Sequence, residues 1–137
     1  MKTFWLAALL MAILLPLPLQ AEIAEPFLVK DINVSEVGSM SSSSQGVAVG
    51  NLYCFVAHDK IHGSELWQSD GTEQGTFMVK DIRPGSDGSS PSDMVEMNGL
   101  LYFRASNGTH GRELWRSDGT EQGTFMVKDI RPGSDGS

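Results

Sequence analysis

The 137-residue chain has a single cysteine, Cys54, so no internal disulfide can form and stability has to come from packing. Cys54 lies inside the apolar run Leu-Tyr-Cys-Phe-Val-Ala (52 to 57), which suits a buried inert thiol better than a reactive one. Positive charge is also scarce, with 10 Lys and Arg against 17 Asp and Glu. Lys80, Arg83, Lys128 and Arg131 are interleaved with Asp81, Asp87, Asp129 and Asp135, so there is no basic cluster and nucleic acid is excluded as a partner. Helix-length apolar stripes are missing beyond the first residues, because Gly and Ser interrupt the chain too often. The Gly-x-Ser-x-Gly elbow, the Walker loop and the dinucleotide fingerprint are missing as well.

The one long hydrophobic run is at the start. Met1-Lys2-Thr3 gives a short positive beginning, residues 4 to 15 are uninterruptedly apolar, and Pro-Leu-Pro-Leu-Gln-Ala (16 to 21) breaks a helix and ends in a small residue. Residues 1–21 therefore read as an export signal cleaved after Ala21. A membrane span needs about 20 apolar residues, and this run meets Pro16 and Pro18 first. No cysteine follows closely enough to carry a lipid. Losing Lys2 changes the net charge from −7 to −8, since every acidic residue lies beyond residue 21. The expected location is secreted or at the cell surface, without membrane association after cleavage.

The rest of the chain repeats itself. Residues 65–89 and 113–137 differ only where Gln68 faces Arg116, and the offset of 48 extends backwards through Leu52 and Leu100, Phe55 and Phe103, Ala57 and Ala105, and His62 and His110. A partial third copy, Phe-Leu-Val-Lys-Asp-Ile (27 to 32), matches 77–82 at an offset of 50, the two extra residues fitting the Ser-rich connector. The divisions are 22–44 (orphan strand and connector), 45–88 (first unit) and 89–137 (second unit and the start of a further connector). Each unit reads as four short strands. Asn98-Gly99 favours a tight hairpin between 92–97 and 100–105, and Asp-Gly-Thr-Glu-Gln-Gly (118 to 123) turns the strand at 113–117 into the one at 124–130.

Four strands at a period between roughly 40 and 50 residues is the arithmetic of a β-propeller blade. The expected fold is all-β: two complete propeller-like blades of antiparallel strands plus an orphan N-terminal strand, forming an incomplete ring. A β-solenoid is the second reading and a sandwich the third. A blade cannot bury both faces alone, so Leu66, Trp67, Phe77, Leu101, Phe103, Trp115 and Phe125 are expected to pack against neighbouring sheets. Two blades fall short of the 4 to 8 that typically close a ring, so exposed flanks and either marginal stability or self-association are expected. The stretches Glu-Leu-Trp-Gln-Ser-Asp-Gly-Thr and Glu-Leu-Trp-Arg-Ser-Asp-Gly-Thr, each followed by Gly-Thr, Val-Lys-Asp-Ile, Pro-Gly and Gly-Ser, resemble the ELWxxDGT repeat of exported bacterial proteins. That resemblance covers nearly all of 27–137. It implies a secreted or surface-displayed, propeller-like repeat protein with no established reaction and no catalytic residues to carry over.

Each residue that could do chemistry has a structural reading beside the functional one. Asp70 and Asp118 could be ligands or acids, but Asp before Gly in a turn accepts backbone N–H bonds, and the turn resembles the Asp-box of sialidase-type blades. Trp67 and Trp115 could stack on sugars, yet a tryptophan at one place in every unit reads as a core wedge with its N–H bonded. Glu65 and Glu113 share a strand face with those tryptophans, and one carboxylate per unit is not a glycosidase pair. His62 and His110 have no second His or Cys three or four residues away, so zinc spacing is missing. Asp81, Asp87 and Asp93 offer calcium oxygens without the pattern of a known calcium loop. Asn33 and Asn107 begin glycosylation sequons, relevant only in a host that modifies them. No catalytic, cofactor-binding or metal residue is assigned. The expected function is an exported, non-enzymatic scaffold for binding or adhesion, its ligand a protein or a glycan. The alternatives are the non-catalytic portion of a larger secreted carbohydrate-active or peptidase-like enzyme, or a truncated gene fragment.

The signal reading has a direct test. Expressed in a bacterium, the protein should be recovered outside the cytoplasm with Glu22 as its first residue, and N-terminal sequencing that finds Met1 intact in a membrane fraction contradicts it.

Overall fold

The computed structural model describes residues 27–32 and 46–134; the expected export signal at 1–21 and the connector from Asn33 to Ser44 lie outside them. The described residues form eight strands and no helix. Sheet 1 contains β1 (Val47–Val49), β2 (Leu52–Asp59), β3 (Gly63–Ser69) and β4 (Phe77–Lys80), antiparallel and in chain order. Sheet 2 repeats the arrangement with β5 (Ser92–Met97), β6 (Leu100–Ser106), β7 (Arg112–Ser117) and β8 (Phe125–Lys128). Among the described residues the two sheets stack without closing a ring.

Local chemistry accounts for the elements. Asn98 and Gly99 both take positive φ, 56° and 78°, as the tight turn between β5 and β6 requires. The ladders of β2 with β3 and of β6 with β7 keep the offset of 48, so Phe55 pairs with Trp67 and Phe103 with Trp115. The last strand of each sheet shifts register at the same place, between Leu66 and Trp67 and between Leu114 and Trp115. After β4 the chain returns to the start of β3, where Ser64 and Gly88 form an isolated parallel bridge. A Cβ on Gly88 would stand 2.3 Å from the Ser64 nitrogen, so this approach is open only to glycine.

The sheets bury each other through unlike faces. Val49, Cys54, Leu66, Val79 and Ile82 of the first unit pack against Leu101, Phe103, Ala105 and Trp115 of the second in one cluster. The opposite face of sheet 1 carries Phe55, Ala57 and Trp67, with Met78 of β4 beside them and Ile32 packed against them. Phe27 to Ile32, expected as an orphan strand, forms no ladder among the described residues, because none of these residues offers it a third strand to pair with. Its lysine nevertheless makes the same contact with sheet 1 that the repeated lysine makes with sheet 2. Lys30 Nζ donates to the Thr76 carbonyl at 2.7 Å, as Lys80 Nζ donates to the Thr124 carbonyl at 2.9 Å. Phe77 and Phe125 depart from the expectation of packing against a neighbouring sheet and are each 43% exposed. They open their strands at the turn, and Phe125 lies instead under the Arg116 guanidinium, 4.9 Å from the ring centre.

Identical residues thus have unequal burial: Val79 and Ile82 are 4% and 5% exposed beneath sheet 2, while their repeats Val127 and Ile130 are 45% and 56% exposed. Ile82→Ala should therefore destabilise the fold by about 2–5 kcal/mol. Ile130→Ala should change it by less than about 0.5 kcal/mol. Chemical denaturation of the two variants checks this, and equal losses contradict it.

Candidate functional site

Most of the residues singled out by sequence lie along β3 and β7 and in the loops that flank these strands, one set per sheet. Glu65 sits on β3 opposite Ala57 of β2 and is fully buried. Its carboxylate accepts from the backbone N–H groups of Ile82 (3.3 Å), Arg83 (3.1 Å) and Ser89 (2.8 Å) and from the Ser89 hydroxyl. Ser89 in turn accepts from Ser106 N through its carbonyl, and Ser90 N donates to the Ser64 carbonyl, so one side chain ties the connector to both sheets. Burial pushes the Glu65 carboxyl above its ordinary value, with the Ser89, Arg83 and Ile82 bonds opposing that rise. A raised carboxyl would suit an acid catalyst, but this one is sealed from any substrate. Glu113 is likewise fully buried and accepts from Ile130 N at 3.2 Å; Ser137, the repeat of Ser89, lies outside the described residues.

Asp70 and Asp118 fix turns. In the first unit Asp70 Oδ1 accepts from Thr72 N and Thr72 Oγ1 at 2.9 and 2.7 Å, and Thr72 Oγ1 accepts from Gly75 N at 2.9 Å. Thr76 Oγ1 donates to the Thr72 carbonyl and shares a 2.7 Å bond with Ser69 Oγ. The second unit repeats this set around Asp118, Thr120, Thr124 and Ser117. The threonine bonds hold both aspartates below the ordinary carboxylate range. A Cβ on Gly75 would fall 1.9 Å from Asp70 Oδ1, so a larger residue there has to push the Asp70 carboxylate from its place in the turn.

The histidines belong to the loop between the second and third strands. His62 Nδ1 lies 2.8 Å from Asp59 Oδ2, and the backbone N–H groups of Ile61 and His62 donate to Asp59 Oδ1. In the second unit Asn107 replaces Asp59, and His110 bonds to it through both backbone and ring. The hydrogen bond to Asp59 raises His62 above its ordinary value, and the bonds from His62 and Ile61 outweigh burial to lower Asp59. Trp67 and Trp115 are both buried, and Trp115 Nε1 donates to the Ala105 carbonyl at 3.1 Å. Trp67 departs from the expected pattern, because its Nε1 is buried with no hydrogen-bond partner among the described residues. Burial also raises the Cys54 thiol, as an inert cysteine requires.

The three calcium candidates are not brought together. Asp87 pairs with Arg83 at 2.7 Å, Asp93 approaches Arg104 at 3.4 Å, and Asp81 keeps one buried oxygen without a hydrogen bond. Among the described residues no three His, Cys, Asp or Glu side chains are grouped to hold a metal. One apolar groove of about 260 Å3 runs between residues 28–32 and sheet 1, lined by Leu28, Ile32, Tyr53, Phe55 and Thr76 among others. Its signal in the sequence is the third copy at 27–32, whose residues suit a strand but here pack on one face of sheet 1. Comparison with known protein families, with curated proteins and with solved structures returns no match.

Two measurements test these roles. Glu65→Ala strands several buried donors and should cost at least about 3 kcal/mol in chemical denaturation, whereas a loss below about 1 kcal/mol would remove the anchor role. For the histidine loop, His62 should titrate by NMR above its ordinary 6.5, and Asp59→Asn should return it towards that value. With a raised folded pKa, its contribution to stability is complete below pH 6.5 and is lost as pH rises through the raised value. A His62 titration unchanged by Asp59→Asn contradicts the pairing.

Proposed function

We propose that the chain is an exported, non-enzymatic repeat protein of the propeller type, related to the ELWxxDGT proteins and serving as a scaffold for binding or adhesion. The observation that carries this reading is where the reactive side chains are used. Each recurs once per unit and is engaged within the fold: Glu65 holds the connector, Asp70 and Asp118 shape turns, and Trp67 and Trp115 fill the core. A fold-forming role for every repeated residue is what stacked repeats require. The propeller reading draws support from four-stranded antiparallel sheets stacked face to face in one repeated relation, with Ile82 beneath the second unit and Ile32 in the same role beneath the first.

Recognition falls to the parts that differ. The units agree almost completely from 65 to 89 and from 113 to 137 but diverge in the loop between the second and third strands, His58 to His62 in one and Ser106 to His110 in the other. Ile61 stands largely exposed at that tip. Loops that vary on a constant framework are where binding specificity resides in repeat folds. The partner is a protein or a glycan; the acidic surface disfavours nucleic acid.

The purified protein should turn over none of a broad panel of glycoside, ester and peptide substrates, with or without added calcium or zinc. Hydrolysis abolished by a single Asp, Glu or His substitution that leaves the fold intact would overturn the reading.

A further inference from the structure

The contact between the sheets has a donating surface and a receiving surface, and the repeat supplies a second copy of each. The donating surface of sheet 1 is built from Val49, Leu66, Val79 and Ile82. Its repeat on the outer flank of sheet 2 is Met97, Leu114, Val127 and Ile130, with Met97 53% exposed where Val49 is 8%. The receiving surface of sheet 2 is Leu101, Phe103, Ala105 and Trp115, repeated on sheet 1 as Tyr53, Phe55, Ala57 and Trp67. There Tyr53 is 46% exposed where Leu101 is 1%. We infer that the outer flank of sheet 2 docks on the Trp67 flank of a second copy of this chain, head to tail, reproducing between molecules the contact that joins the sheets within one.

Shape and charge both favour that occupant. Within the chain, Gln68 Oε1 and Leu52 Cδ1 lie 2.8 and 3.3 Å from where a Cβ on Gly119 would stand, while the repeat position Gly71 has nothing within 4 Å. The Gly71 turn is therefore vacant for the corresponding residues of another sheet 2, which are Arg116 and Leu100. The single difference between the 25-residue blocks falls at this point. Gln68 presses on Gly119 with its oxygen buried and unbonded, whereas Arg116 would bring a cation to the turn that carries the Asp70 carboxylate.

Residues 29–32 are what such a partner must displace. Val29-Lys30-Asp31-Ile32 repeats Val79-Lys80-Asp81-Ile82 and Val127-Lys128-Asp129-Ile130 letter for letter. Docking exchanges Lys30 on the Thr76 carbonyl for Lys128, and Ile32 on Phe55 and Trp67 for Ile130. The segment is an internal stand-in for the partner's β8, holding the receiving flank through the Lys30 hydrogen bond and the Ile32 side chain. Because donor and receiver are different surfaces, the contact leaves one of each free and can extend to a ring or a filament.

Analytical ultracentrifugation of the signal-free chain between about 1 and 100 μM, the range of a modest interface, reads the association. The weight-average mass should rise with concentration. Val127→Asp with Ile130→Asp removes the donor and Tyr53→Asp removes the receiver, both at exposed positions whose folding circular dichroism verifies. Tyr53→Lys serves if Tyr53→Asp does not fold. Each variant alone should be monomeric, and an equimolar mixture should give a one-to-one dimer that grows no further, because only one productive interface remains. Lys30→Ala should strengthen association of the unmodified flanks. A wild-type chain that stays monomeric throughout overturns the inference. So does a receiver variant that associates like wild type, or a mixture that remains monomeric.

Discussion

The larger of the two buried clusters lies between the sheets, and the structure depends on the face of sheet 1 that carries Leu66 lying on the face of sheet 2 that carries Trp115. Each sheet spans fewer than about 40 residues, a size at which a lone unit cannot bury enough surface to fold. A fully buried Leu, Ile or Phe contributes about 1.5–3 kcal/mol, against about 1 kcal/mol net for a backbone hydrogen bond. The ladders lie within each sheet, so it is cross-sheet burial of Leu66, Val79, Ile82, Leu101 and Phe103 that holds the two units together.

Burial alone is non-directional and would let the sheets slide, so the polar network supplies the geometry. Glu65 gathers Ile82, Arg83 and Ser89, and Ser89 reaches Ser106 on the second sheet, fixing where the connector crosses. The close approach of Ser64 and Gly88 brings the connector to the start of β3. Lys80 adds a bond across the sheets to the Thr124 carbonyl, beside the turn that Asp118 and Thr120 shape. Glu65 and Glu113 are fully buried and serve the fold, whereas Asp70 and Asp118 stay exposed on the turns they shape.

Much of this was legible in the sequence. Alternation and the Asn98-Gly99 turn located β5 and β6, and Asp-Gly-Thr located the turn that Asp118 builds, because these are local rules of backbone conformation. Burial of Trp67 and Trp115 followed from their recurrence. Three things were not legible, each for a non-local reason. The role of Glu65 depends on Ser89, 24 residues away, which no strand periodicity connects to it. Phe77 and Phe125 look like core residues until their place at the turn is known. The unequal burial of Ile82 and Ile130 cannot be read from identical letters, since it reflects what lies beside each sheet and not the sheet itself.

Native-state hydrogen exchange on the backbone amides of β2, β3, β6 and β7 tests the mutual dependence of the sheets most directly, because amides that open only in global unfolding share one free energy. The slowest amides of both sheets, those of Leu66 and Trp67 and of Leu114 and Trp115 among them, should exchange with a single common opening free energy and the same dependence on denaturant. Two separate values, with one sheet remaining protected after the other has opened, would show that a sheet is stable alone and would contradict the account.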